Sequence, residues 1–253
     1  MEKWSLLPAR ATASVAPWPW NARRAARGAQ LALSDIREEP LQETARLVEK
    51  LGGRAVIRLV DVAKREEVEA WAAAAAAELG GVDVIINNAG VALLDTLEDV
   101  PYEEFRWVFD ILFWGVVHGT KAFLPHLLKN NDGHIVNISS IFGIIGVPTQ
   151  SAYNASKFAV RGFTEALRQE VQCTQVNVSC VHPGGIKTNI ARSARFYRDM
   201  SGNQDAARSA ANFDKIAAPH QPKRPGSLST ASNATNRASS SALMHACSTV
   251  CNA

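Results

Sequence analysis

Val82-Asp83-Val84-Ile85-Ile86-Asn87-Asn88-Ala89-Gly90 reads as a short β-strand that runs directly into a polar turn closed by glycine. The apolar part is too short for a helix and rich in β-branched residues, which favour a pleated, buried surface. Upstream lies a helical pattern over Arg65–Leu79, stopped by Gly80-Gly81. Downstream, a long helical pattern over Tyr102–Lys129 opens just after Pro101, a residue suited to a first turn. A strand held between two helices is the unit of a parallel sheet, so this stretch decides the fold.

The same alternation extends both ways. Strands are predicted over Gln30–Ser34, Arg54–Val60, Val82–Ile86, His134–Ser139 and Val176–Val181, with helices over Glu38–Leu51, Arg65–Leu79, Tyr102–Lys129 and Ala152–Gln172. The expected architecture is α/β, a doubly wound, Rossmann-like parallel sheet with helices on both faces. Ligands bind such sheets beyond the carboxyl ends of the strands. Asp35, Asp61, Asn87, Ser140 and Pro183 all fall at or just past such an end.

The 253 residues and their 47% hydrophobic content allow one sizeable core. Three parts are expected: an atypical segment 1–22, a sheet domain 23–217, and a disordered tail 218–253 dominated by Ser, Ala, Asn, Thr and Pro. A net charge of +3, dispersed along the chain, argues against a nucleic-acid partner. Cys173, Cys180, Cys247 and Cys251 lack metal-ligand spacing, so no metal is expected, and thiols suit a reducing compartment. Pro8, Arg10, Pro17 and Pro19 interrupt any signal-like apolar run, and no run approaches the about 20 residues of a membrane span. These features predict a cytoplasmic protein that engages no membrane.

The chemistry concentrates at Ser140 and at Tyr153-Asn154-Ala155-Ser156-Lys157. Hydride addition to a carbonyl leaves negative charge on oxygen, which a phenol can protonate. A free phenol, with a pKa of about 10, holds its proton too tightly to shuttle it at neutral pH. Tyr153 and Lys157 are four residues apart, so a helix stacks them on one face, and the ammonium is expected to favour the phenolate. Ser140, arriving from a strand end, can hydrogen-bond the substrate oxygen. Ser139 is its rival for that role.

Together, Ser140, the Tyr153–Lys157 pair, Asn87–Gly90 and Pro183-Gly184 resemble the short-chain dehydrogenase/reductase family over roughly Arg23–Ala217. The resemblance implies an oxidoreductase that moves hydride between a nicotinamide cofactor and a secondary alcohol or ketone. It makes Tyr153 the acid/base, Lys157 also a grip on the nicotinamide ribose, and Ser140 the group that polarises the carbonyl. It places Asn88, Ala89 and Gly90 along the adenosine side of the cofactor and Asp61-Val62 at the adenine. Asp35, at the end of the second strand, is expected to bond the ribose 2′-hydroxyl and so select NAD over NADP, with Arg37 softening the preference. Pro183, Gly184, Ile186 and Thr188 belong to the loop that meets the carboxamide, and Asn189–Asn212 to a mobile lid. Ile141, Phe142, Val147 and Leu93 are expected to face the pocket and favour an apolar small-molecule substrate. The long helices resemble the family's faces for a homodimer or homotetramer.

Two departures weigh against this pattern. The family usually places Asn, part of a proton relay, where Leu112 stands. A dinucleotide site also needs a first strand and a glycine-rich turn, and neither is evident in Met1–Asn21, where Pro17-Trp18-Pro19-Trp20 stands instead. Codon degeneracy suggests why. Joining the third base of each codon to the first two of the next, from Pro8 to Asn21, permits Gly-Ala-Gly-Asn-Gly-Ile-Gly-Arg-Ala-Leu-Ala-Leu-Glu. The same shift from Lys3 to Pro8 permits Val-Val-Ala-Thr-Thr, and from Thr230 to Ala246 it permits a plausible last strand. Both ends therefore read as out-of-frame versions of an ordinary enzyme's ends. The alternative function is a catalytically impaired family member acting as a binding or scaffold protein.

Overall fold

The computed structural model describes residues 10–14, 28–184, 190, 193–199 and 202–205. Its main sheet comprises β1 (Arg10–Ser14), β2 (Gln30–Asp35), β3 (Arg54–Leu59), β4 (Val84–Asn87), β6 (Gly133–Ile138) and β7 (Val176–Val181). All pairs are parallel, in the order β3-β2-β1-β4-β6-β7. The helices are α1 (Glu38–Lys50), α2 (Arg65–Leu79), α3 (Tyr102–Phe109), α4 (Gly115–Asn130) and α5 (Ser151–Glu170). A two-stranded parallel ladder, β5 (Leu93–Leu94) with β8 (Arg195–Phe196), stands apart from the main sheet.

The sheet is buried on both faces because successive residues of a strand point to opposite sides. Leu31, Leu33 and Val84 pack with Leu41 and Val48 of α1 on one face. Ala32, Ile85, Ile135 and Val178 pack on the other with Trp71 and Ala75 of α2, Phe123 and Leu127 of α4, and Leu167 of α5. Full burial of each such Leu, Ile or Phe contributes about 1.5–3 kcal/mol. Gly80 takes the left-handed conformation (φ 71°) and closes α2, while Asn131 (φ 47°) does the same for α4.

Two expectations need correcting. A first strand does exist: Arg10–Ser14 sits in the middle of the sheet, its register running from Arg10↔Gln30 to Ser14↔Ser34 on one side and from Ala11↔Val84 to Ala13↔Ile86 on the other. Central parallel strands usually announce themselves as Val, Ile and Leu runs. Arg-Ala-Thr-Ala-Ser has none, so pairing with two apolar neighbours, rather than its own composition, makes it a strand. The long helix is also interrupted. Asp110–Trp114 is a π-helical turn between α3 and α4, which shifts the face presented by everything that follows.

The order of strands reverses between β1 and β4, the topological switch point at which such sheets bind ligands. The segment after β1 (15–27) and the tail expected to be disordered (218–253) lie outside the described residues. Among the described residues no helix is long and apolar enough to cross a membrane.

Candidate active site

The carboxyl end of β6 delivers two serines, and their surroundings separate them. Ser139 is buried and its Oγ donates to the Lys157 carbonyl at 2.9 Å, so it braces the helix. Ser140 faces the other way. Its Oγ accepts from Phe142 N at 3.2 Å and lies near enough to the Tyr153 hydroxyl to oppose the effect of burial on that phenol. Its carbonyl meets His182 Nδ1 at 3.0 Å, while Ser139 N donates to Val181 O at 2.8 Å and Ile141 N to Pro183 O at 2.9 Å. The ends of β6 and β7 are thereby laced together beneath the serine.

Tyr153 and Lys157 lie one turn apart on α5, as their spacing predicts, and both are buried. The Lys157 Nζ sits 5.7 Å from the centroid of the Tyr153 ring and donates to Ile138 O at 2.9 Å. Burial dominates the titration of both. It pushes the Tyr153 phenol above its usual value, opposed by Ser140, and lowers the Lys157 amine to about 8, opposed by nearby Cys180. The phenol is thus raised rather than lowered as expected, because burial disfavours both charged forms and the influence opposing it at Tyr153 is Ser140, not the ammonium.

At the cofactor side, Asn87 ties β4 to its neighbours. Its Nδ2 donates to Thr120 Oγ1 at 3.1 Å and to Asn137 Oδ1 at 2.8 Å, and Asn137 passes the chain on to Thr164 Oγ1 at 3.0 Å. This is the strand-tying role expected of an amide in that place. Asn88, Ala89 and Gly90 follow, with Gly90 exposed. A cavity of about 30 Å³ lies at the ends of β2 and β4, lined by Ser34, Val60, Val62, Asn88, Ala89 and Gly119. Val62 packs against Gly115, and its carbonyl meets His118 Nδ1 at 3.0 Å. Asp61 is engaged locally, its Oδ1 accepting from Ala63 N at 3.0 Å and its own N–H donating to Glu67 Oε2 at 2.9 Å. Asp35 accepts from Arg37 N at 2.9 Å and from Arg37 Nε at 3.3 Å, so the two residues expected to compete over the ribose form one ion pair.

Pro183 and Gly184 follow β7, as expected, whereas Ile186 and Thr188 lie outside the described residues. Of the expected lid, Arg195–Phe196 forms β8 and pairs with β5. Leu112 is fully buried in one cluster with Leu93, Val108 and Tyr153, and Phe142 packs against it.

Two site residues escaped the sequence reading. Asn154 is buried beside Tyr153. Its Nδ2 donates to Phe142 O and Ile145 O, both at 2.7 Å, and its Oδ1 accepts from Val147 N at 3.0 Å, so it moors loop 142–147 to the catalytic helix. Gly143 packs so tightly that a Cβ there would meet the Ser139 hydroxyl and the Lys157 backbone. A buried amide directly after Tyr153 and a glycine three residues after Ser140 were the available signals.

The geometry defines a largely buried serine–tyrosine–lysine cluster at the carboxyl strand ends of a doubly wound sheet that also has a small cavity at the ends of β2 and β4. Comparison with known proteins agrees. The short chain dehydrogenase family matches residues 21–198, and the chain belongs to that family of oxidoreductases. SadH of Mycobacterium tuberculosis is 50% identical over 197 residues, covering 77% of this chain and 70% of that protein. Estradiol 17-beta-dehydrogenase 11 of Macaca fascicularis is 35% identical over 167 residues, covering 65% of this chain and 56% of its own. Among solved structures, a short chain dehydrogenase/reductase from Burkholderia phymatum in complex with NAD superposes with a TM-score of 0.72 at 29% identity, covering 84% of this chain and 79% of that one. The family binds a nicotinamide cofactor.

The described residues fit such a cofactor at its nucleoside ends. Lys157 offers an ammonium beside Tyr153, and Asp35 offers a carboxylate at the end of β2. The stretch that precedes both in the sequence, where a glycine-rich turn would fall, is another matter, since the first glycine in the chain is Gly28.

Proposed function

We propose that this chain reduces apolar ketones, or oxidises the corresponding secondary alcohols, with NAD, and that Ser140, Tyr153 and Lys157 carry the reaction. The observation that carries this reading is the convergence of three side chains, with Ser140 at the end of β6 beside Tyr153 and Lys157 Nζ 5.7 Å from the Tyr153 ring. A bound nicotinamide supplies the hydride. In the reductive direction Ser140 donates its hydroxyl proton in a hydrogen bond to the carbonyl oxygen, which draws that oxygen beside Tyr153. As negative charge gathers there, Tyr153 transfers its proton and the alcohol is complete. Lys157 then stabilises the phenolate that remains, and with an amine pKa of about 8 it is still largely cationic at pH 7.

An apolar substrate is supported by the walls of the site. Phe142 lies edge-on to Tyr153 with centroids 6.1 Å apart, and Ile144 and Ile145 are exposed at 44% and 49% on the loop that Asn154 moors. The carboxylate of Asp35, 11% exposed at its side chain, supports NAD over NADP because it would repel a 2′-phosphate. Exposed Trp114 and Phe158 suit a homodimer or homotetramer, and a cytoplasmic location fits the cysteine usage.

The pyrophosphate grip is the weak part of the site. The family match begins at residue 21, just where the frame-shifted reading of the N-terminal segment ends, and this supports an out-of-frame origin for that segment. NADH oxidation in the presence of 2-octanone, with the alcohol product identified, tests the function. NADH binding without turnover would instead favour a binding protein with an impaired site, the reading that buried Leu112 supports.

A further inference from the structure

Segment 193–199 is tied to α3 most extensively by one arginine in a built socket. Arg195 Nη1 donates to both oxygens of Glu104, at 2.7 and 2.9 Å, and its guanidinium carbon stands 3.6 Å from the centroid of the Trp107 ring. Glu104 and Trp107 are three apart on α3, so the helix presents the carboxylate and the ring side by side. A planar guanidinium uses both at once, which a lysine cannot. On the backbone, Arg195 N donates to Ala92 O and Tyr197 N to Leu94 O, both at 3.0 Å. Arg198 adds a second tie to Asp99 at 2.8 Å.

This ladder leads to the reacting groups. Leu93 is buried in the cluster that holds Tyr153. One residue beyond β5, Asp95 N donates to Thr149 O at 3.0 Å. Thr149 is a β-branched residue held at φ 64°, two residues before α5 begins, a conformation that persists only where its surroundings enforce it. Arg195, β5, Thr149 and the start of the Tyr153 helix thus form one connected series.

We infer that Arg195 is a positioning residue that fixes segment 193–199 against α3 and β5 and, through Leu93 and Thr149, steadies the apolar wall beside Tyr153, and so sets how tightly a ketone is held there. The inference rests on the oxidoreductase reading, but its structural half can be tested alone. Hydrogen exchange on the full chain should show amides in 193–199 and in 92–95 exchanging about tenfold faster in Arg195→Ala, with Arg195→Lys in between because it keeps only the charge. With saturating NADH, the KM for 2-octanone should rise about tenfold in Arg195→Ala while kcat changes less than about threefold and NADH affinity stays unchanged. Unchanged exchange would overturn the inference. Faster exchange with an unchanged KM would leave Arg195 a fold-stabilising residue only and also overturn it. Absence of turnover in the parent would count against the reaction instead, and exchange would still decide whether the clasp exists.

Discussion

The two ends of the cofactor cleft are built to different standards. Around Tyr153 nearly every polar group has a partner: Ser139 braces Lys157, Ser140 meets Tyr153, Asn154 moors loop 142–147, and Asn137 links Asn87 to Thr164. Across the switch point, β1 is followed by a stretch in which no glycine appears before Gly28. Proton transfer needs a few side chains at fixed places, and in the proposed mechanism Ser140, Tyr153 and Lys157, all within residues 133–184, would supply them. Gripping a pyrophosphate needs consecutive backbone N–H groups that approach without hindrance, which glycines make possible. The two tasks are written in separate stretches of chain, so one can be lost while the other stays whole.

The strongest way to break this contrast is at the hydroxyl of Tyr153. Tyr153→Phe removes only that oxygen, and it should lower single-turnover ketone reduction about a thousandfold while leaving the unfolding temperature near that of the parent. Turnover at the parental rate would remove Tyr153 from the mechanism. Gly143→Ala comes next. Its methyl would press on the Ser139 hydroxyl and the Lys157 carbonyl, which should cost about 1–3 kcal/mol in denaturant unfolding. A variant as stable as the parent would mean that this packing is loose.

Lys157 gives a subtler test, through pH. Its folded pKa is depressed to about 8 from an unfolded value of 10.5, so between those values the unfolded chain binds more protons. Stability should therefore rise between about pH 8 and 10, with a slope of at most about 1.4 kcal/mol per pH unit from this group. Above about pH 10 Tyr153, whose folded pKa is raised, works in the opposite direction. Lys157→Met should flatten the rise, as urea unfolding at several pH values would show. A rise of the same steepness in that variant would mean that Lys157 is not its source. The smallest effect is expected at Asp35, which already shares its charge with Arg37. Asp35→Ser should narrow an NAD-over-NADP preference by about tenfold, about 1.4 kcal/mol, measured as a ratio of binding constants. A parent that prefers NADP would show that Arg37 outweighs the carboxylate.

The fold was largely legible wherever local signals agreed. Arg65–Leu79 and Val176–Val181 begin and end where periodicity and flanking residues place them, and the Tyr153–Lys157 stacking follows from helical spacing alone. β1 was not legible, because Arg-Ala-Thr-Ala-Ser carries no apolar signature and becomes a strand only through β2 and β4. The π turn at Asp110–Trp114 was hidden for a related reason, since its sequence suits an ordinary helix equally well. Ser139 and Ser140 could be separated in role only by where α5 lies against β6. Burial also reversed the expected shift of the Tyr153 phenol, a term that sequence spacing does not contain.

The central claim is that the Ser140–Tyr153–Lys157 cluster is kept while the pyrophosphate grip is not, and calorimetric titration with NADH tests the second half most directly. Two chains are compared: the chain as it stands, and one whose segment Lys3–Asn21 is replaced by its frame-shifted reading, with the tail after Ala217 replaced likewise. The account predicts that the repaired chain binds NADH about a thousandfold more tightly, a difference of about 4 kcal/mol. Micromolar binding by the unrepaired chain would contradict it, and would mean that the residues after β1 build a phosphate site without a glycine-rich turn.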